Sequence, residues 1–480
     1  MLAKDIAIAK TARHVPPNRM GPITFTNLTR AVEIGANCYV LDAGGKRIIL
    51  DCGLHPKFDG EAAMPNLALL AEETVDAIVL SHAHQDHLGS LPVLMRRQSR
   101  APVFMTEATR QLSDIMLHNS VNVMLKKKED GVREYPLFAH REVDRCTKRW
   151  RGIPLHQKFD LTGQRLAPND EEEVSIEFYN AGHILGSVGT LIRAAGKKIF
   201  YTGDVNFEDQ SVMQGARFPE EPLDVLIVET TRGDRPTPEG FSRAAEAERL
   251  ANAMRETFAG GGGVMMPLFA LGKTQELLAM FFEFRKRGLM KRDTPIYIGG
   301  LGAKLTEVHD KLAHHAPRLR HELQLLDSVA PFVVAGQQAM TLPFKPNRVY
   351  ALSSGMMTEK TLSNSFARHM LSDPKNLLVF VGYADPDSPA GKIREAQPGD
   401  TVQLSPDIAP QLLNCRVEKF NFSGHASRES LRAYANKVTP KKIILVHGDS
   451  EAIEWFKGAL SGDMPGCEIL TPTPGQPIEL

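Results

Sequence analysis

The chain is poor in cysteine: among 480 residues only Cys38, Cys52, Cys146, Cys415 and Cys467 occur, scattered and without a C-x-x-C pair. That excludes a disulfide framework and a thiolate zinc site, and it suits a reducing compartment. No apolar run approaches the ~20 residues needed to span a bilayer. Residues 1–20 carry charges at Lys4, Asp5, Lys10 and Arg13 and hold no apolar segment of signal-peptide length. The expectation is a cytoplasmic protein with no membrane attachment. Net charge is also missing, because 57 Lys and Arg offset 57 Asp and Glu. A polyanionic partner would have to be held by a local basic cleft and by metal ions rather than by a field over the whole molecule. There is no internal repeat and no low-complexity stretch, and the length suffices for two domains with separate cores.

Histidine and aspartate, by contrast, are concentrated. Ser81-His82-Ala83-His84-Gln85-Asp86-His87 has the pattern H-x-H-x-D-H, directly after the apolar stretch Ala77-Ile78-Val79-Leu80. On an extended backbone His82 and His84 point to one side, and a turn into a helix can bring Asp86 and His87 round to a second point nearby. Imidazole nitrogen with carboxylate oxygen is the ligand chemistry of zinc and, less selectively, of its neighbours. Three further candidates end strand-like segments: His183 in Ala181-Gly182-His183, Asp204 after Tyr201-Thr202-Gly203, and His447 after Ile444-Leu445-Val446. Each alone reads as an ordinary polar strand terminus. Together with the first cluster they could supply two metal ions and one carboxylate to bridge them.

Patterning divides the chain. Short strands with turn signals run from about Pro22 to Leu54 and again from Val174 to Glu229, separated by a charged segment, Glu107 to Arg151, that reads as helical. Its run Lys126-Lys127-Lys128 reads as a solvated helix face. An acidic turn at residues 170–173 precedes the second set of strands. Beyond Asp234, strands alternate with amphipathic helices such as Arg243 to Phe258 and Gln275 to Arg287, as in an α/β unit with a largely parallel sheet. Gly260 to Thr274 has the look of a nucleotide-binding P-loop but carries Pro267 where that motif needs glycine.

These motifs resemble the metallo-β-lactamase fold, and within it the β-CASP nuclease branch. Val228-Glu229-Thr230-Thr231, Phe422-Ser423-Gly424-His425 and Leu445-Val446-His447-Gly448-Asp449 match that branch's later motifs. The likeness covers roughly residues 22 to 480, and within the branch the chain is similar to bacterial and archaeal relatives of the cleavage-and-polyadenylation endonuclease. It implies an α/β fold: a metallo-β-lactamase αββα sandwich with an inserted α/β β-CASP cap domain. The expected bounds are 22–232 for the first part of the sandwich, 233–405 for the cap and 406–480 for the return.

The resemblance also implies a site. One zinc would be held by His82, His84 and His183, a second by Asp86, His87 and His447, with Asp204 bridging and Asp51 supporting the ligands from behind. His425, Glu229 and Asp86 are the catalytic candidates, His425 as the acid that protonates the leaving 3′-oxygen. Lys273, Ser353, Ser354, Gly355, Lys392 and Arg394 are candidate contacts to single-stranded RNA. The implied activity is zinc-dependent hydrolysis of RNA by a two-metal hydroxide mechanism that leaves 5′-phosphate and 3′-hydroxyl ends, internally or from a 5′ end, in RNA processing or decay. Homodimerisation is expected by analogy. Two alternatives are a hydrolase of another ester or small phosphodiester on the same scaffold, and a silent scaffold subunit. Arg232 stands where relatives often have tyrosine, and Ser427 where aspartate is common.

Overall fold

The computed structural model describes residues 21–170, 172–336 and 341–480. The segment in which no signal peptide was read, residues 1–20, and position 171 of the acidic turn lie outside these. The chain forms two compact units. Among the described residues, the first comprises 21–170, 172–208, 215–237 and 425–480, and the second comprises 209–214, 238–336 and 341–424.

Two sheets stack in the first unit. One has seven strands, in the order Pro477–Glu479, Thr24–Asn27, Tyr39–Ala43, Lys46–Leu50, Ala77–Val79, Val103–Met105, Trp150–Gly152. The other has six: Glu468–Leu470, Lys442–Val446, Val225–Glu229, Lys197–Tyr201, Val188–Ala194, Val174–Asn180. Alternation along each strand sends one set of side chains between the sheets and the other outward. Ile199, Tyr201, Ile227, Ile444 and Val446 point inward to meet Phe25, Tyr39, Leu41, Leu50, Val79 and Phe104 of the first sheet. Their sequence neighbours Phe200, Leu226, Val228, Ile443 and Leu445 pack outward, on Leu431, Tyr434 and Val438 of helix Arg428–Val438 and on Ile453, Phe456 and Leu460 of helix Ser450–Asp463. This is the αββα layering expected from the sequence. The charged segment is helical at Glu107–Glu129 and His140–Thr147 but ends in the edge strand Trp150–Gly152, which pairs with Val103–Met105. Lys126, Lys127 and Lys128 are exposed on the last turn of the long helix, as expected.

Strand direction decides where the site can form. Val225–Glu229 runs parallel to both Lys197–Tyr201 and Lys442–Val446, so Asp204, Glu229 and His447 all leave the sheet at one edge. Two successive antiparallel pairings bring Val174–Asn180 into the same direction, which adds His183. In the other sheet Lys46–Leu50 and Ala77–Val79 are parallel, so Asp51 and the Ser81–His87 run emerge together.

The second unit holds a six-stranded parallel sheet in the order Phe332–Val334, Ile296–Gly299, Val349–Leu352, Val264–Pro267, Leu377–Phe380, Arg416–Lys419. The insert expected to end at 405 thus runs to Gly424, because Arg416–Lys419 pairs with Leu377–Phe380 rather than with the sandwich. Its start falls at Pro238 rather than 233, and residues 209–214 join it through a bridge between Met213 and Arg318. Among the described residues no helix is long and apolar enough to cross a membrane.

Close backbone approach holds the loops behind the site in register. A Cβ at Gly53 would fall 1.7 Å from the carbonyl oxygen of Asp86 and 2.8 Å from the amide nitrogen of His87. Gly53→Ala is therefore expected to destabilise the fold by about 1–3 kcal/mol through overpacking. Gly458→Ala, in mid-helix with open space around its Cβ, is expected to stabilise it by about 0.5–1 kcal/mol. Urea unfolding of both variants checks the contrast.

Candidate metal centre

The H-x-H-x-D-H run leaves its strand at Val79, and His84 sits in extended conformation immediately before the short helix Gln85–Leu88. The extended segment and the helical turn therefore aim their side chains at two separate points, as the pattern predicts. His183 arrives from a glycine-flanked loop in which Gly182 (φ +66°) touches Asn206 and Ala216 backbone too closely for a Cβ.

Three imidazoles meet at the first point. Nδ1 of His84 lies 3.1 Å from Nε2 of His82 and 3.0 Å from Nε2 of His183. Asp86, His87 and His447 gather at the second, with Nε2 of His447 3.3 Å from Oδ2 of Asp86. Asp204 lies between them. Its Oδ2 faces His82 and His183 at 3.5 and 3.6 Å, and its Oδ1 faces His87 and His447 at 3.2 Å each. Oδ1 is fully buried and makes no hydrogen bond.

This arrangement suits divalent cations. Donor atoms spaced about 3 to 3.6 Å apart suit ligands that share one ion of ~2.0–2.2 Å bond length. A buried carboxylate faced by four imidazole nitrogens is an expensive arrangement unless positive charge, from a cation or from protons on those rings, completes it. Burial, reinforced by the neighbouring imidazoles, holds His82 well below its ordinary pKa, and burial does the same for His84, so both present lone pairs. Burial works against the charge on Asp86 and Asp204, but the surrounding histidines outweigh it and keep both carboxylates ionised. All seven ligand candidates named from the sequence converge here.

A second layer orients them. Asp51, held at φ +60°, accepts from the Ser81 amide at 2.7 Å and hydroxyl at 2.7 Å, from Nδ1 of His87 at 2.7 Å and from the Tyr201 hydroxyl at 2.6 Å. With Nδ1 of His87 committed to Asp51, Nε2 is turned toward Asp204. Asn37 donates to the Asp86 carbonyl at 3.1 Å and is itself fixed by the Tyr39 hydroxyl at 2.7 Å, while the Thr231 hydroxyl stands 3.0 Å from Nδ1 of His447. Asn37, Tyr39, Ser81, Tyr201 and Thr231 escaped the sequence reading. Tyr39 and Tyr201 look like ordinary strand residues and Asn37 like a polar loop residue before a strand, and only the fold shows what they touch.

His425 and Glu229, 196 positions apart, form a pair beside the cluster. Nδ1 of His425 lies 3.1 and 3.0 Å from the two Glu229 oxygens, and its Nε2 lies 4.0 Å from Oδ2 of Asp204. Glu229 is buried and accepts from the Val205 amide at 2.7 Å. Burial opposes protonation of His425, but Glu229 and Asp204 more than offset it and raise its pKa above the ordinary histidine value. Ser427 has a local explanation: as N-cap it accepts from the Ser430 amide and starts helix Arg428–Val438, a role aspartate fills equally well.

The six RNA-contact candidates all lie in the second unit. Lys273 donates to the Phe422 carbonyl and Arg394 to the Gly382 carbonyl at 2.9 Å, so both brace loops. Ser354 lies 3.2 Å from the Thr358 hydroxyl, Ser353 accepts from the Ser363 amide through its carbonyl, Gly355 abuts Phe269, and Lys392 is exposed on helix Pro389–Glu395.

Three family models match the chain: a metallo-beta-lactamase superfamily domain over residues 40–231, a Beta-Casp domain over 274–393, and a Zn-dependent metallo-hydrolase RNA specificity domain over 412–472. Among curated proteins it is 28% identical over 485 residues to cleavage and polyadenylation specificity factor subunit 3-I of Arabidopsis thaliana, covering 98% of this chain and 65% of that one. It is 29% identical over 453 residues to endoribonuclease ysh1 of Schizosaccharomyces pombe, covering 92% and 56%. It is 28% identical over 434 residues to cleavage and polyadenylation specificity factor 73 of Drosophila melanogaster, covering 89% and 60%. The chain thus spans less than two thirds of the length of these relatives. A solved structure from Enterococcus faecalis V583, of unknown function, superposes with a TM-score of 0.55 at 13% identity over 96% of this chain and all of that one, and shares the fold. With the sandwich, the inserted parallel-sheet unit and the three domain matches in one chain, the protein belongs to the β-CASP branch of the metallo-β-lactamase superfamily.

Proposed function

We propose that the protein is a metal-dependent ribonuclease that hydrolyses phosphodiester bonds of single-stranded RNA and leaves 5′-phosphate and 3′-hydroxyl ends. The observation that carries this reading is the His425–Glu229 pair set beside Asp204, an acid placed next to a cation-binding cluster. The names of the relatives, a cleavage and polyadenylation specificity factor subunit, a cleavage and polyadenylation specificity factor and an endoribonuclease, support it.

Two zinc ions are the proposed cofactors, one on His82, His84 and His183, the other on Asp86, His87 and His447, with Asp204 shared. Ions bound there supply water activation near neutral pH and offset charge on the non-bridging phosphoryl oxygens. The chain's own residues do the rest. Asp51 fixes the ring of His87, and Asp86 fixes His447 while contributing charge on the reacting side. Glu229 holds Nδ1 of His425, so that Nε2 carries the proton destined for the leaving 3′-oxygen. The second unit's loops around Lys273, Ser353, Ser354, Gly355, Lys392 and Arg394 are proposed to guide the strand, with Lys273 and Arg394 acting by shaping their loops. A cytoplasmic location accords with five free cysteines, and a homodimer is the proposed assembly.

Elemental analysis of the purified protein is expected to find two zinc ions per chain, and Asp51→Asn is expected to lower zinc affinity about 10- to 100-fold. His425→Gln should retain both ions yet lose about 10²- to 10⁴-fold in kcat. Near-normal turnover by that variant would remove His425 from its role. Cleavage of circular RNA, which has no end, would establish internal cutting; turnover confined to linear RNA would assign action from a 5′ end.

A further inference from the structure

Among the described residues, no carboxylate stands at salt-bridge distance from the guanidinium of Arg232, which lies beside the site. It is half-buried, it belongs to the loop that follows Glu229, and its single hydrogen bond among the described residues is to the carbonyl oxygen of His425, at 3.5 Å. The arginines around it are paired: Arg235 with Asp234 at 3.0 Å and Arg428 with Glu429 at 3.1 Å. Burial, followed by the Arg235 charge, holds its pKa below the ordinary arginine value, and the charges of Glu208, Glu229 and Glu429 oppose that shift without reversing it. A desolvated guanidinium that offers several unused donors is short of an anion.

The loop is rigid enough to make this placement deliberate. Thr230 Oγ1 donates to the Val446 carbonyl at 3.0 Å and Thr231 Oγ1 to the His447 carbonyl at 3.2 Å. Arg428 donates to the Gly233 carbonyl at 3.2 Å, and Thr237 Oγ1 to Glu429 at 2.9 Å. Gly233 lies so close to helix Ser450–Asp463 that a Cβ there would sit 2.3 Å from the Ala452 carbonyl oxygen. One neighbour of Arg232, Thr231, thus touches the candidate ligand His447, while its own guanidinium touches the backbone of His425.

We propose that Arg232 binds a phosphodiester of the RNA strand next to the one being cut, on the side that carries the leaving 3′-oxygen. The assignment rests on the ribonuclease reading above. It follows from the neighbour: a strand whose 3′-oxygen takes a proton from His425 must lead away past His425, and its next phosphate upstream needs a cation there. A guanidinium fork matches two phosphoryl oxygens of one diester, whereas the tyrosine often found here in relatives offers one neutral hydroxyl. Such an exchange would tighten the grip on the upstream product end without altering the metal ligands.

The test is a cycle on a fluorogenic single-stranded RNA with or without one uncharged methylphosphonate at the first linkage upstream of the cut. Wild type is expected to lose about 10- to 100-fold in kcat/KM on the neutral linkage. Arg232→Gln should lose a similar factor on ordinary RNA and nothing further on the methylphosphonate, and Arg232→Lys should recover part of the loss. The slope of log(kcat/KM) against log[salt] should become shallower by about 0.7 in Arg232→Gln, the value for one phosphate contact on a single strand. Additive losses, an unchanged salt slope, or a loss explained by lowered melting temperature and metal content would overturn the assignment to Arg232 alone. Failure of the zinc-loaded wild type to cut any RNA would overturn the ribonuclease reading and this inference with it.

Discussion

Everything at the site depends on one carboxylate facing two ways. Asp204 puts Oδ2 toward His82 and His183 and Oδ1 toward His87 and His447, within 3.2 to 3.6 Å of each. Burial opposes the charge on Asp204, and the histidines around it outweigh that cost, so the carboxylate and its ring of imidazoles depend on each other. The two ligand groups are in this sense one object, and each exposes the other to desolvation cost if it is lost.

That object is assembled by strand direction. Parallel pairing across Lys197–Tyr201, Val225–Glu229 and Lys442–Val446 delivers three chain segments to one sheet edge, and the second sheet delivers Asp51 and the histidine run opposite them. Binding sites at the carboxyl ends of parallel strands follow from geometry, since loops there can project ligands without disturbing the ladder. The two sheets carry the cost of holding so many ionisable groups together, through the apolar layer between them and the helices outside.

Departures from the family pattern have separate physical meanings. Ser427 is the N-cap of its helix, a position that accepts serine as readily as aspartate. Arg232, where the resemblance leads one to expect tyrosine, sets a half-buried guanidinium against the carbonyl of His425, with no carboxylate at salt-bridge distance among the described residues. Lys273 and Arg394 show the reverse: basic residues that look available in sequence are spent on the carbonyls of neighbouring loops.

The sequence by itself determined the local chemistry. Four metal-capable side chains within six positions could be read directly, because strand alternation and one helical turn fix their directions without help from distant residues. The fold class came with the resemblance of its motifs to the metallo-β-lactamase and β-CASP families, while strand–helix alternation marked the inserted part as α/β. Only the tertiary structure decided which oxygen of Asp204 faces which cluster, and that Asn37, Tyr39, Tyr201 and Thr231 stand behind the ligands. It likewise decided that Arg416–Lys419 belongs to the inserted sheet, which moved the return from 406 to 425. These are contacts between residues tens to hundreds of positions apart, and nothing in local spacing encodes them, because they arise only when the sheets close on their shared core.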